Sequence, residues 1–301
     1  MNMKVVIGGA SGLIGSALVK ALRDRGDTVL RLVRREPRSP DEIRWEPSVE
    51  QLDLEALRGA DAVISLGGAS VGKLPWTSSY RGALWGSRID TTSTIVRALR
   101  ALHDAGEDVP MFISASASGY YGSQPGKTLS EDSPAGTTFL ARLCQAWENT
   151  ALRSADITEV ALVRTSPILH PDGVLKPMIL LTKLGLGGPL SSGEQIWPWI
   201  SLDDEVRGII HVLDNRLSGP INFTGPTSAS MARIGRALAE ELDRPFLVPA
   251  PEWPMKLMLS SDAVESLLTA DADMTPDRLL GSGFVFQHSA PEDAIIDSIN
   301  G

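Results

Sequence analysis

Short apolar runs alternate with stretches of helical periodicity through the first half of the chain. Lys4 to Gly8 is an apolar run closed by glycine, and Leu13 to Arg25 then carries Leu13, Ala17, Leu18, Ala21 and Leu22 at helical spacing before Gly26 stops it. That pattern predicts a strand, a glycine-rich turn and a helix. Thr28 to Val33 predicts a second strand and completes a β-α-β unit with short connections. Asp61 to Leu66, ending at Gly67-Gly68, predicts another buried strand, as do Pro110 to Ser114 and Val160 to Arg164. Asp90 to His103 and Thr138 to Ser154 predict helices between them. Such alternation implies an α/β fold, a Rossmann-type doubly wound parallel sheet covered on both faces.

Beyond Pro167 the alternation breaks. Leu184 to Ile200 is rich in Gly, Pro and Trp and reads as a lid or substrate lobe rather than more sheet. Arg233 to Leu242 is an amphipathic helix, and helical stretches follow around Lys256 to Leu268 and Glu292 to Ile299. The expected organisation is a dinucleotide-binding domain over residues 1–166, with 167–301 mostly a smaller C-terminal α/β substrate lobe. No internal repeat or low-complexity segment interrupts it.

Composition narrows the partners. A net charge of −9 on 301 residues repels phosphate backbones, so nucleic acid and anionic membrane are excluded as expected partners. One cysteine, Cys144, leaves no internal disulfide and no multi-cysteine zinc site, and none of the four histidines stands at metal-ligand spacing from Cys, Asp or Glu. No metal is expected. Met1 to Lys4 leads straight into Val5-Val6-Ile7, too short a run for a signal peptide, and no apolar stretch approaches the ~20 residues a membrane span needs. The expectation is a cytoplasmic protein, monomer or homodimer.

Gly8-Gly9-Ala10-Ser11-Gly12-Leu13-Ile14-Gly15 follows a strand and opens a helix, the context that gives a glycine pattern its meaning. Gly9 permits the tight turn, Gly12 admits the pyrophosphate against the backbone, and Gly15 allows helix and strand to pack closely. The helix N-terminus offers free N–H groups and positive potential to phosphate, so Ser11, Leu13 and Ile14 join the expected contacts. About twenty residues on, an NAD site places an acid on the adenosine ribose, whereas an arginine suits the NADP 2′-phosphate. Here the second strand ends in Arg34-Arg35, which favours NADP(H). A solvated basic turn is the alternative, and Glu36 next door stays available for a ribose hydroxyl.

Together with the glycine turn and the Gly67-Gly68 strand end, the run Ser114-Ala115-Ser116-Ala117-Ser118-Gly119-Tyr120-Tyr121-Gly122 resembles the extended short-chain dehydrogenase/reductases. Phe139 to Glu148, Gly185 to Pro189, Trp199 to Asp204 and Gly283 to Phe286 resemble an atypical subgroup, the epimerase family or nucleoside-diphosphate-sugar epimerase-like proteins. This resemblance covers essentially the whole chain, including a subgroup-specific tail over 245–301. It implies further cofactor contacts at the strand ends, from Leu66, Gly67, Gly68, Ala69, Ser114, Thr165 and Ser166, and from Arg88 on the helix between.

Members of the wider superfamily carry Tyr-x-x-x-Lys on one helix, where the cation lowers the phenol's pKa. Four residues after Tyr80, Tyr120 and Tyr121 stand Leu84, Gln124 and Pro125, so the pair is missing. Counted back from Glu148, Leu140 occupies the Tyr position and Cys144 the Lys position. The expected catalytic set is therefore Ser116, Tyr120 or Tyr121 as a phenolic acid, Cys144 as a weak acid, and Arg88 as a cation. Core packing is the alternative for both tyrosines and for Cys144. Arg88 sits where many extended members have an active-site Asn, and either binds an anionic substrate or anchors a phosphate. Ser201 stands where the family usually shows His.

Two functions follow from this pattern. One is an NADP(H)-dependent oxidoreductase or epimerase-like enzyme acting on a small polar, possibly nucleotide-linked, substrate. The other is a non-catalytic NADP(H) sensor acting through a protein partner, which the missing Tyr and Lys favour.

Overall fold

The computed structural model describes residues 2–249 and 261–301. Its centre is an eight-stranded sheet built from β1 (Lys4–Gly8), β2 (Thr28–Val33), β3 (Glu42–Glu46), β4 (Gln51–Leu52), β5 (Ala62–Ser65), β6 (Met111–Ala117), β8 (Val160–Thr165) and β9 (Gly219–Phe223). The order is β4-β3-β2-β1-β5-β6-β8-β9, parallel throughout except for the β3–β4 pair. From β1 the chain winds outward to β2 and β3, then crosses to β5 on the other side. The C-terminal ends of β1 and β5 therefore flank the point where the winding reverses, the place where such sheets leave a ligand crevice.

Two faces of the sheet are covered by different helices. Leu18 and Leu22 of α1 (Leu13–Asp24) and Val206, Ile209 and Val212 of α5 (Leu202–Asp214) pack on Val5, Ile7, Ile64 and Ile113. On the opposite face Ile95, Leu99 and Leu102 of α2 (Ser78–Asp104), with Ala151 of α3 (Phe139–Ala151), pack on Val6, Val63 and Phe112. Both faces bury continuous apolar runs, as a doubly wound parallel sheet requires.

Past Pro167 the chain adds one more strand to the sheet, which the sequence pattern did not mark. β9 joins β8 in parallel, Val163 opposite Ile221, and α5 crosses back to lie beside α1. β9 was hidden because Pro220 and Asn222 interrupt its five residues, a proline tolerated on an edge strand. α5 was hidden because its first turn is Asp203-Asp204-Glu205, of which Asp204 and Glu205 are buried. α2 likewise begins at Ser78 rather than Asp90, capped by the Thr77 hydroxyl, which accepts from the Tyr80 N–H.

A separate hydrophobic cluster is built around Leu175 of α4 (Leu175–Lys183), Trp197, Trp199, Ile234 and Leu238 of α6 (Met231–Glu241), and Ile295 of the final helix Pro291–Asn300. Of the expected helix around Lys256 to Leu268, the part before residue 261 lies outside the described residues. Ser261–Ala263 is a helical turn that runs into a π-helical stretch, Val264–Leu268. The chain then returns to the sheet end, where β10 (Asp273–Met274) pairs in parallel with β7 (Thr128–Leu129). Among the described residues no helix is long and apolar enough to cross a membrane.

Candidate functional site

Gly9 holds φ at +85°, and a Cβ there would lie 2.7 Å from the Gly67 N, so the β1 and β5 turns touch backbone to backbone. At Gly15 a Cβ would sit 2.2 Å from the Gly9 carbonyl oxygen, which lets α1 rest on the turn. Gly12 differs: a Cβ would meet the Gly9 oxygen only at an ordinary 3.5 Å, and the residue is exposed. Nothing inside the protein demands glycine there.

The helix behind this turn is uncapped. Thr77, Thr138, Ser201 and Ser230 cap α2, α3, α5 and α6 through their hydroxyls, whereas α1 starts at Gly12 with no side-chain acceptor and no acid in its first turn. The first N–H groups of α1, at Leu13, Ile14 and Gly15, face the crevice end with their positive potential uncompensated. A phosphate fits that vacancy in charge and in donors, and Ser11 stands exposed beside it.

The two arginines at the end of β2 separate. Arg35 forms a bidentate pair with Glu42 of β3, at 2.7 and 2.6 Å, and holds that carboxyl down at about 2. Arg34 is exposed and has no partner among the described residues. Glu36, the alternative ribose acid, pairs with Arg44. Of the two, Arg34 is the one left free for a 2′-phosphate.

At the β5 end, the Leu66 N–H donates to the Gly8 oxygen at 2.9 Å and the Ala69 N–H to the Ser87 Oγ at 2.9 Å, fixing the Leu66 to Ala69 turn. Arg88 lies under it. Its guanidinium donates to the Ala69 and Leu84 oxygens at 3.2 and 3.0 Å and lies 5.2 Å from the Trp147 ring centroid. A Cβ on Gly68 would come within 3.1 Å of the Arg88 Cζ. Arg88 has no carboxylate partner among the described residues, and burial pulls its pKa down. A cation in that state favours an incoming anion or polar ligand.

Cys144 and Leu140, at the Lys and Tyr positions of the family helix, are both buried. Burial pushes the Cys144 thiol up to about 12, which favours core packing, the alternative to its expected role as a weak acid. The Ser116 hydroxyl donates to Glu148 Oε1 at 2.6 Å, and the residue is buried. Strand alternation turns it toward α3 rather than the crevice.

Tyr121 belongs to the same buried network. Its hydroxyl donates to Asn222 Oδ1 at 2.7 Å and accepts from Arg164 at 2.8 Å, and burial pushes its pKa up to about 12. That favours the packing alternative for this tyrosine. Arg164 also binds both oxygens of Glu148 at 2.9 Å. Tyr120 remains half-buried, its ring stacked 3.6 Å from the Arg164 guanidinium. Ser114 and Ser166 are buried at the strand ends. Thr165 donates to Glu205 Oε1 at 2.7 Å, while Glu205 Oε2 has no partner.

Beside these strand ends lies an open cleft. Ser118, Gly119 and Pro167 form its sheet side, Trp197 and Pro198 its second wall, and Ser266 and Leu267 its third wall. Ser118 was missed as a site residue. β6 ends at Ala117, so the next residue leaves the strand and lines the cleft. A second missed contact is His288, whose Nδ1 lies 3.0 Å from the Ser201 Oγ, bringing an imidazole in space to the position where the sequence lacks one.

A family model for the NAD dependent epimerase/dehydratase family matches residues 5–223, and a domain of unknown function (DUF1731) matches residues 250–297. The epimerase family protein Mb2239 of Mycobacterium bovis is 39% identical over 298 residues, 98% of this chain and 97% of its own. The human epimerase family protein SDR39U1, crystallised with NADPH, superposes with a TM-score of 0.89 at 27% identity, covering 99% of this chain and 100% of that one. UDP-glucuronic acid 4-epimerase from Bacillus cereus, in complex with UDP-glucuronic acid and NAD, shares the fold with a TM-score of 0.74 at 18% identity, covering 99% of each chain.

Proposed function

The chain belongs to the NAD dependent epimerase/dehydratase family, and from that membership we propose that it binds NADP(H) across the β1/β5 crevice and acts as an oxidoreductase on a small substrate in the neighbouring cleft. What carries the cofactor half is the uncapped N-terminus of α1 behind Gly12, with the unpartnered Arg34 at the next strand end. The human relative crystallised with NADPH supports the choice of dinucleotide. In this reading Gly12, Leu13 and Ile14 hold the pyrophosphate, Arg34 the 2′-phosphate, and the Leu66 to Ala69 turn the middle of the molecule.

The nicotinamide supplies hydride transfer when bound. The protein's part is orientation and charge. Arg88 sits against Gly68 and 5.2 Å from the ring of Trp147 on α3, so a cation from α2 serves in the region where the family helix carries lysine. Ser118 offers a hydroxyl to the substrate from the cleft wall.

One observation favours a non-catalytic sensor instead: Leu140, Cys144 and Tyr121 are buried, and burial pushes both the Cys144 thiol and the Tyr121 phenol up. The two readings separate in an assay of purified protein with NADPH and a panel of carbonyl compounds, following loss of NADPH absorbance. Turnover that Arg88→Met abolishes while NADPH binding persists supports the enzyme. NADPH binding with no turnover of any compound supports the sensor.

A further inference from the structure

We propose that the cleft takes a compact, uncharged and largely apolar molecule bearing a single carbonyl or hydroxyl, held by Ser118 and Ser266, rather than a nucleoside-diphosphate sugar. This rests on the reading that the cleft holds the substrate beside the cofactor.

The walls are apolar. Trp197, Pro198, Pro167, Val174, Leu267 and Ala270 supply most of the surface, and no charged residue lines the cleft among the described residues. Two guanidiniums nearby are committed elsewhere, and Arg88, held under the Leu66 to Ala69 turn, does not line the cleft. Arg164 lies behind the Tyr120 ring and donates to Glu148, the Tyr121 hydroxyl and the Glu131 oxygen. Arg81 on α2 pairs with Asp262 beside the third wall. A diphosphate entering this cleft loses water without gaining a cation, at a cost of several kcal/mol per charge.

Two hydroxyls break the apolar lining. Ser266 lines the cleft with an Oγ that has no partner among the described residues, and Ser118 Oγ has none there either. An orphaned buried hydroxyl is costly until an oxygen of a ligand satisfies it. Ser266 stands in the π-helical stretch Val264–Leu268, inside the segment matched by the domain of unknown function. That segment thereby gains a role: it closes the substrate cleft against the strand ends and sets its polarity.

The test is calorimetric titration of the full-length protein, loaded with NADPH, against cyclohexanone, benzaldehyde and UDP-glucose. The two uncharged carbonyls are expected to bind and UDP-glucose is not. Ser118→Ala and Ser266→Ala are each expected to weaken the carbonyls roughly fivefold, the loss of one ordinary hydrogen bond. NADPH affinity should stay at the wild-type value in both variants, which separates this claim from the cofactor reading. Binding of UDP-glucose, failure of both carbonyls to bind, or wild-type carbonyl affinity in both variants overturns the proposal.

Discussion

The Ser116 hydroxyl donates a 2.6 Å hydrogen bond to Glu148 Oε1, and both residues are buried. The carboxylate is simultaneously gripped by Arg164 through two 2.9 Å contacts, so serine, glutamate and arginine form one structural unit beneath the cleft. Ser116→Ala is expected to destabilise the fold by about 1–3 kcal/mol, the range for leaving a charged buried acceptor short of a partner. Glu148→Gln removes the charge that Arg164 answers and is expected to cost more, about 3–5 kcal/mol. Urea denaturation measures both. Wild-type stability in Ser116→Ala together with lost turnover would place the serine in the catalytic set.

Gly12 and Gly15 separate binding from folding. Gly12→Ala meets only an ordinary 3.5 Å contact inside the protein, so its melting temperature should match the wild type while NADPH binding weakens. Gly15→Ala drives a Cβ to 2.2 Å from the Gly9 oxygen, an overpacking expected to cost about 1–3 kcal/mol. Thermal melts beside NADPH titrations of the two variants check this. A sharp loss of stability in Gly12→Ala would mean the glycine serves packing alone.

Glu205 carries a pH dependence. Burial pushes its carboxyl from 4.5 up to about 8, with one oxygen on Thr165 and the other unpartnered. The folded protein therefore keeps a proton across that window which the unfolded chain releases. Stability falls as pH rises from the lower value to the upper, with a slope reaching about 1.4 kcal/mol per pH unit. Glu205→Gln is expected to flatten the slope, raising stability at the alkaline end. Denaturation series across the window measure it, and an unchanged slope in the variant would place the titrating group elsewhere.

The dinucleotide half was legible because its signals are local. A strand, a glycine turn and a helix lie within Lys4 to Asp24, and the buried strands read as unbroken apolar runs. What escaped depends on partners far apart in sequence. Arg34 and Arg35 look alike until β3 brings Glu42 to one of them. Tyr120 and Tyr121 look alike until Asn222, on a strand disguised by Pro220, takes the hydroxyl of the second. Ser114, Ser116 and Ser118 alternate as if on one face, yet β6 ends at Ala117 and only the last reaches the cleft.

Calorimetric titration of NADPH and NADH against the wild-type protein and against Arg34→Ala tests most directly how the crevice is used. The wild type is expected to bind NADPH at least about tenfold tighter than NADH, worth ~1.4 kcal/mol. Arg34→Ala should erase that preference and leave NADH binding nearly intact. Arg35→Ala should preserve it, because Arg35 is engaged by Glu42. Equal affinity of the wild-type protein for the two dinucleotides, or a preference that survives the loss of Arg34, would contradict the assignment of the crevice to NADP(H) through Arg34.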